Sequence, residues 1–204
     1  MNKKGIELSV NFLVLLIISI VIFSFGIIFA TRILNVGKKA AEGLPEIEEI
    51  ALKNCMRSGN YVCISKDKAD LKPGDTKLFE IGLTNDLENT AEFKYKLDLA
   101  KAIDEQGNDF STQIKTPPST TWREFIQDNW LGSLESEVYT LKRDADKRVR
   151  FLFEIQRGSP PGTYIWNLKI CTDDTSVPND PDFGCTGAFN RLYGGNHKIY
   201  ITVI

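Results

Sequence analysis

Histidine occurs once in this 204-residue chain, at His197, and that scarcity removes most catalytic and metal-binding arrangements at the outset. No HExxH, GxSxG or P-loop pattern is present, and no serine or cysteine nucleophile motif lies near His197. An enzyme is therefore not expected, and neither is a cofactor. Excess charge of either sign is also missing. Twenty-five basic residues stand against 27 acidic ones, a formal net charge of −2, so the basic face that a nucleic-acid binder needs is absent. No N-x-[ST] sequon occurs, so N-linked glycosylation is not expected. CxxC pairs are lacking too, which argues against zinc and dithiol redox sites.

What the chain does have is one long apolar run. Leu8 to Thr31 is 24 residues without a charge, flanked by Lys3 and Lys4 before it and Arg32, Lys38 and Lys39 after it. As a helix it reaches roughly 36 Å, enough to cross a hydrocarbon core of about 30 Å with some tilt. A cleaved secretory signal has a shorter core of about 7–15 residues and a small-residue site. Phe29-Ala30-Thr31-Arg32 is a poor site of that kind. The flanking charges alone do not orient the run. The cysteines do: Cys55, Cys63, Cys171 and Cys185 all lie beyond it, an even number suited to disulfides in an oxidising compartment. The bulk of the chain is thus expected outside the cell. Four cysteines allow three pairings, and the nearest-neighbour set, Cys55–Cys63 with Cys171–Cys185, is favoured. The second bridge would close a loop of about 15 residues, contributing on the order of 3 kcal/mol.

Hydrophobic periodicity divides the rest of the chain. Ala40, Ala41, Leu44, Ile47, Ile50, Ala51 and Asn54 recur at helical spacing, so the helix is expected to continue to about residue 58. Pro45, followed by Glu46, Glu48 and Glu49, reads as a restarted first turn and places a bend near 43–45. From Tyr61 the period becomes two. EFKYKLDL (92–99), RVRFLFEI (148–155), TYIWNLKI (163–170) and HKIYITVI (197–204) alternate apolar and polar residues, and FEIGLT (79–84) and VYTL (138–141) bring the set to roughly seven strands. Turns carry Pro73-Gly74-Asp75, Asn85-Asp86 and Pro160-Pro161-Gly162. One-sided alternation in many short strands predicts an antiparallel sandwich. Between strands, Thr121 and Glu124 have capping-box spacing, with Trp122, Phe125, Ile126 and Trp130 on one helical face.

The opening KKG-IELSVNFLVLL resembles the N-terminus of archaeal type IV pilin-like proteins, which carry a class III signal. Such a basic leader ends in glycine and is cut on the cytoplasmic side of a helix that is retained. The resemblance assigns Lys3, Lys4, Gly5 and Ile6 to the processing signal, with cleavage between Gly5 and Ile6. Against the pattern Q-x-S-x-E-x-x-x-L, the matching register here is Glu7, Ser9, Asn11 and Leu15, of which Ser9 and Leu15 agree. That register falls one residue late relative to the cut. In such proteins an acid near the new N-terminus meets the amine of a neighbouring subunit, and Glu7 is the candidate for this contact, with Ser9, Asn11 and Leu15 beside it. Ala69 to Asp75 with FEIGLTN, and the stretch from Tyr139 to Ile170, resemble immunoglobulin-like modules of microbial surface proteins. That second resemblance carries fold and no active site.

The whole is thus expected to be α+β: a leader at 1–5, a long helix at 6–58 and an extracellular immunoglobulin-like β-sandwich at 59–204. The resemblance implies a homopolymeric surface filament, inserted in the cytoplasmic membrane before assembly, with a prepilin peptidase and assembly machinery as partners. The competing expectation is a single-pass anchored adhesion module that never polymerises. Trp122, Phe125 and Trp130 are the candidates for an adhesive aromatic surface, against the alternative that they cap the core. Asp173, Asp174, Asp180 and Asp182, in the loop between the last two cysteines, are calcium candidates, although their spacing is not that of an EF-hand.

Overall fold

The computed structural model describes residues 10–41, 45–115, 120–131, 137–179 and 184–204. The chain divides into two compact units, Met1–Glu42 and Gly43–Ile204. In the first, the apolar run forms helix α1 (Val10–Ala41). The bend expected at 43–45 falls mainly on residues outside the described ones; Pro45 itself is the N-cap of helix α2 (Glu46–Arg57). Its missing N–H costs nothing at that position, and the three glutamates of the first turn sit where the helix dipole favours them.

The second unit is two sheets face to face. One is built from strands β1 (Val62–Ile64), β3 (Thr76–Thr84) and β8 (Asp146–Glu154), side by side in that order. The other contains β2 (Lys68–Leu71), β4 (Ala91–Ile103), β7 (Tyr139–Leu141), β9 (Gly162–Thr172) and β10 (Arg191–Val203), in the spatial order β2-β10-β9-β4-β7. A small hairpin, β5 (Ile114–Lys115) with β6 (Thr120–Thr121), leads into helix α3 (Trp122–Trp130). These layers and this strand order define an immunoglobulin-like β-sandwich.

The sheets are not wholly antiparallel, which corrects the expectation drawn from alternation. β2 runs parallel to β10, with Ala69 opposite Ile201. The cause is a crossing of the chain between layers: β1 pairs with β3 in one sheet, and a few residues later β2 joins β10 in the other. Side-chain period cannot report this, because strand direction leaves it unchanged.

Alternation places the core. Phe79, Ile81 and Leu83 of β3 and Val149, Phe151 and Phe153 of β8 face Phe93, Leu97 and Leu99 of β4, Tyr164, Trp166 and Leu168 of β9, and Ile199 and Ile201 of β10. All are buried. Each such side chain contributes about 1.5–3 kcal/mol on leaving water. Phe153 meets Trp166 edge-on at 5.1 Å between ring centres. β4 keeps its inward set to Ala102 through a bulge between Leu99 and Lys101, and β10 has a second bulge between Tyr193 and Asn196.

Helix α2 covers the outer face of the smaller sheet. Leu52 is fully buried there, and Met56 occupies the space where a Cβ on Gly82 would stand. The disulfide Cys55–Cys63 ties the helix to β1, and Cys171–Cys185 closes the loop after β9. The pairing is thus neighbour to neighbour. Two disulfides mark this unit as one for an oxidising, extracellular setting.

Candidate functional site

The surfaces singled out in the sequence have different fates. Lys3, Lys4, Gly5, Ile6, Glu7 and Ser9 lie outside the described residues. Asn11 is in α1, and Leu15 is 64% exposed on it. Leu15 has ample company: from Leu13 to Ile28 the large apolar side chains are exposed on every side of the helix, Ile22 at 66% and Phe23 at 70%. The two hydroxyls in this stretch are spent internally. Ser19 donates to the Leu15 carbonyl and Ser24 to that of Ile20, each at 2.7 Å. Among the described residues no helix is long and apolar enough to cross a membrane. The stretch with described side chains, Leu13–Ile28, reaches roughly 24 Å at about 1.5 Å per residue.

The aromatic candidates do not form one exposed surface. Helix α3 starts at a full capping box: the Thr121 hydroxyl accepts from Glu124 N, and the Glu124 carboxylate accepts from Thr121 N. The Thr121 backbone N–H, and after it the Thr121 hydroxyl, donate to the Glu124 carboxylate and hold it below its usual range. The helix then turns Ile126 and Trp130 inward. Trp130 is 1% exposed and lies 4.4 Å from Tyr164 and 6.4 Å from Trp166, ring centre to ring centre. Trp130 therefore closes the end of the sandwich and offers no surface for binding. Trp122 and Phe125 are half-buried against the same core, and the Lys115 ammonium stands over both rings, at 5.4 and 4.4 Å.

Arg123, from the same turn of α3, has a task that composition does not announce. Its guanidinium donates to the carbonyls of Leu99 and Ala100, the point where β4 bulges, and to Ser111 Oγ. Helix α3 is thereby fastened across the irregular part of the longest sheet. A second cluster joins α2 to its sheet. Lys77 donates to Glu48 at 2.8 Å, and Arg150 to the buried Glu80 at 2.7 Å. Arg148 lies 3.5 Å from Glu80 and 3.6 Å from Glu49. Glu49 also accepts from Lys53, which is the main cause of its lowered pKa. Apart from Glu49 and Lys53, which are four residues apart on α2, the partners in both clusters are far apart along the chain and leave no sequence signal.

For calcium, two candidates are described and both carboxylates are engaged. Asp173 accepts from Glu92 N, and Asp174 from the backbone and hydroxyl of Ser176, which lowers its pKa. Asp180 and Asp182 lie outside the described residues. Among the described residues no group of His, Cys, Asp or Glu is placed to hold a metal ion.

His197 sits beside the β10 bulge with Nε2 3.1 Å from the Gly194 carbonyl. Burial lowers its pKa from 6.5, partly opposed by that carbonyl. The unfolded chain then binds more protons than the folded one just below pH 6.5. Stability from this group is present above that pH and declines as pH falls through the folded value. Since it is the one histidine, the assignment is direct. Thermal unfolding measured between about pH 5 and 7 is expected to show a loss of midpoint on acidification that His197→Gln removes.

No protein-family model matches the chain, and no curated protein matches it. Solved structures with some likeness include the PapD-like domain 7 of human CEP192, at 13% identity and TM-score 0.39, covering 71% of this chain and 86% of that one. The class 5 fimbriae chaperone CfaA gives 14% identity and TM-score 0.33, over 69% of this chain and about half, 54%, of its own. A Niemann-Pick type C2 protein from Japanese carpenter ant gives 10% and 0.34, over 70% and 89%. At such values the likeness carries no functional argument, and the class of the domain rests on its own layers and strand order.

Proposed function

We propose that this chain is a structural subunit of a surface filament of the archaeal type IV pilus kind, with α1 packing against identical helices in the core and the sandwich displayed outside. The carrying observation is the apolar surface of α1. A helix exposing leucine, isoleucine and phenylalanine on all sides demands an apolar environment. Because Ser19 and Ser24 bond to their own backbone, that surface brings few unmet hydrogen-bonding groups into such packing. The sandwich supports this reading by being complete in itself, with its own core and both disulfides.

In this reading Lys3, Lys4 and Gly5 signal a prepilin peptidase, Ile6 becomes the first residue, and Glu7 registers each subunit on the amine of the next. The helix resides in the cytoplasmic membrane before the assembly machinery draws it into the filament. Intact mass and N-terminal sequencing of protein from membranes and culture medium test this. A chain beginning at Ile6 in a sedimentable extracellular fraction is expected, and Gly5→Val is expected to abolish both processing and filaments. Normal filaments from the Gly5→Val strain would sink the proposal.

The second reading, a non-polymerising membrane-anchored adhesion module, draws on the same all-round apolarity of α1, since lipid has no preferred side. It is the reading that survives if the mature chain keeps Met1 or Asn2 and stays with the membrane.

A further inference from the structure

Helix α2 rests on the three-stranded sheet over one cross-strand row. In that row Cys63 of β1 pairs with Gly82 of β3, and Gly82 pairs with Arg148 of β8. The two outer members are occupied. Cys63 is bridged to Cys55 of α2, and Arg148 lies beside both Glu49 and Glu80. Gly82, in the middle, has no side chain, and Met56 fills the gap. A Cβ there would overlap the Met56 sulfur, with Met56 Cγ at 2.9 Å and Cε at 3.2 Å. The thioether thus sits directly on backbone, in the kind of irregular space that methionine fills well.

Little other apolar contact holds the helix. Leu52 is its one fully buried residue, while Ile47 and Ile50 point outward, 82% and 49% exposed. The remaining ties are ionic, Glu48 to Lys77 and Glu49 to Arg148, and covalent, Cys55 to Cys63. Met56 is only half-buried, so a small reagent reaches its sulfur. Competing thiols are absent because all four cysteines are in disulfides. The other methionine of the chain, Met1, lies outside the described residues.

We infer that Met56 is an oxidation-sensitive latch: hydrogen peroxide converts it to the sulfoxide and loosens α2 on the sheet, while the Cys55–Cys63 disulfide keeps the helix attached. A sulfur lone pair attacks one peroxide oxygen, the O–O bond breaks, and the other oxygen leaves as water. Sulfur loses two electrons, peroxide gains them, and an apolar thioether becomes a polar group. The side of the sulfur against Gly82 has no room for the added oxygen, and a polar oxygen left there without a partner is costly. The side chain therefore leaves the notch. The sandwich core, on the opposite face of β3, keeps its contacts. This latch holds whether or not α1 assembles filaments.

The test treats the full chain in detergent with hydrogen peroxide, locates the added oxygen by peptide mass and follows hydrogen exchange. Oxidation is expected at Met56, with exchange about tenfold faster at α2 amides 50–56 and unchanged in β3 and β9. Met56→Leu, close in volume, is expected to keep slow exchange before and after peroxide. Met56→Gln, which carries a polar oxygen at similar reach, is expected to show the fast exchange without any oxidant. A Met56 that resists peroxide in the folded protein would overturn the inference. So would slow α2 exchange in the sulfoxide or in Met56→Gln, equal acceleration in β3 and β9, or a peroxide response that survives in Met56→Leu.

Discussion

Alanine in place of Gly162 is expected to cost the sandwich about 4 kcal/mol, read as a shift of about 2 M in the urea midpoint at unchanged slope. Gly162 opens β9 opposite Val203, with φ at +148°, a region that side-chain-bearing residues rarely adopt. The space is also taken. A Cβ there would overlap the carbonyl oxygen of Ile103, with Ile103 C at 3.2 Å and Asp104 Cα at 3.3 Å. All three atoms are backbone, so no rotamer change relieves the clash. The neighbouring chain is held as well: the Asp104 carboxylate accepts from Gln106 N and Asn108 N, and these bonds, that from Asn108 foremost, keep its pKa below the usual value. Relief must therefore come from displacing the end of β4 or the start of β9, where Ile103 pairs with Thr163. A cost below about 1 kcal/mol would mean that this turn moves freely.

The same position shows what a sequence discloses. Pro160-Pro161-Gly162 announces a turn leading into a strand, and the alternation of TYIWNLKI assigns Tyr164, Trp166, Leu168 and Ile170 to one face. Both are local facts, and the buried pattern of β9 agrees with them. That glycine is needed because another strand's carbonyl comes close is a long-range fact with no local trace. The capping box of α3 was readable for the same reason that Arg123 was not. Thr121 and Glu124 are three residues apart, whereas Arg123 serves a bulge 24 residues upstream. Helix α2 sharpens the distinction. Helical spacing marks Ile47, Ile50 and Ala51 as one stripe, yet Ile47 is 82% exposed, and the sheet buries Leu52 and half-buries Met56 instead. Spacing reveals a helix; which side is buried depends on the surface beneath, here the notch at Gly82 and the cations Lys77 and Arg148.

Asn85→Ala is expected to be comparably damaging, about 4 kcal/mol, for a different reason. Asn85 is fully buried, and its side chain makes three hydrogen bonds. Nδ2 donates to the carbonyls of Asn89 and Leu141, each at 2.9 Å, and Oδ1 accepts from Leu87 N at 3.0 Å. Its backbone is also engaged, donating to Ala145 O and accepting from Asp144 N, and Asp144 is held at φ +58°. One residue thus fastens the β3–β4 turn to the β7–β8 turn, joining the two sheets at this end. Alanine leaves two carbonyls and one amide without partners, at about 1–3 kcal/mol for each that water does not reach. Asn85→Asp separates this account from simple loss of packing. At neutral pH a carboxylate would face two carbonyl oxygens and lose both donations, so the cost is expected to match or exceed that of alanine. On acidification the protonated acid regains one donor, so the gap between the Asn85→Asp variant and wild type should narrow as pH falls, while that of Asn85→Ala stays level. Urea unfolding of the three proteins at two pH values decides it: parallel behaviour of the two variants would show that the hydrogen bonds of Asn85 contribute little and that its volume alone matters.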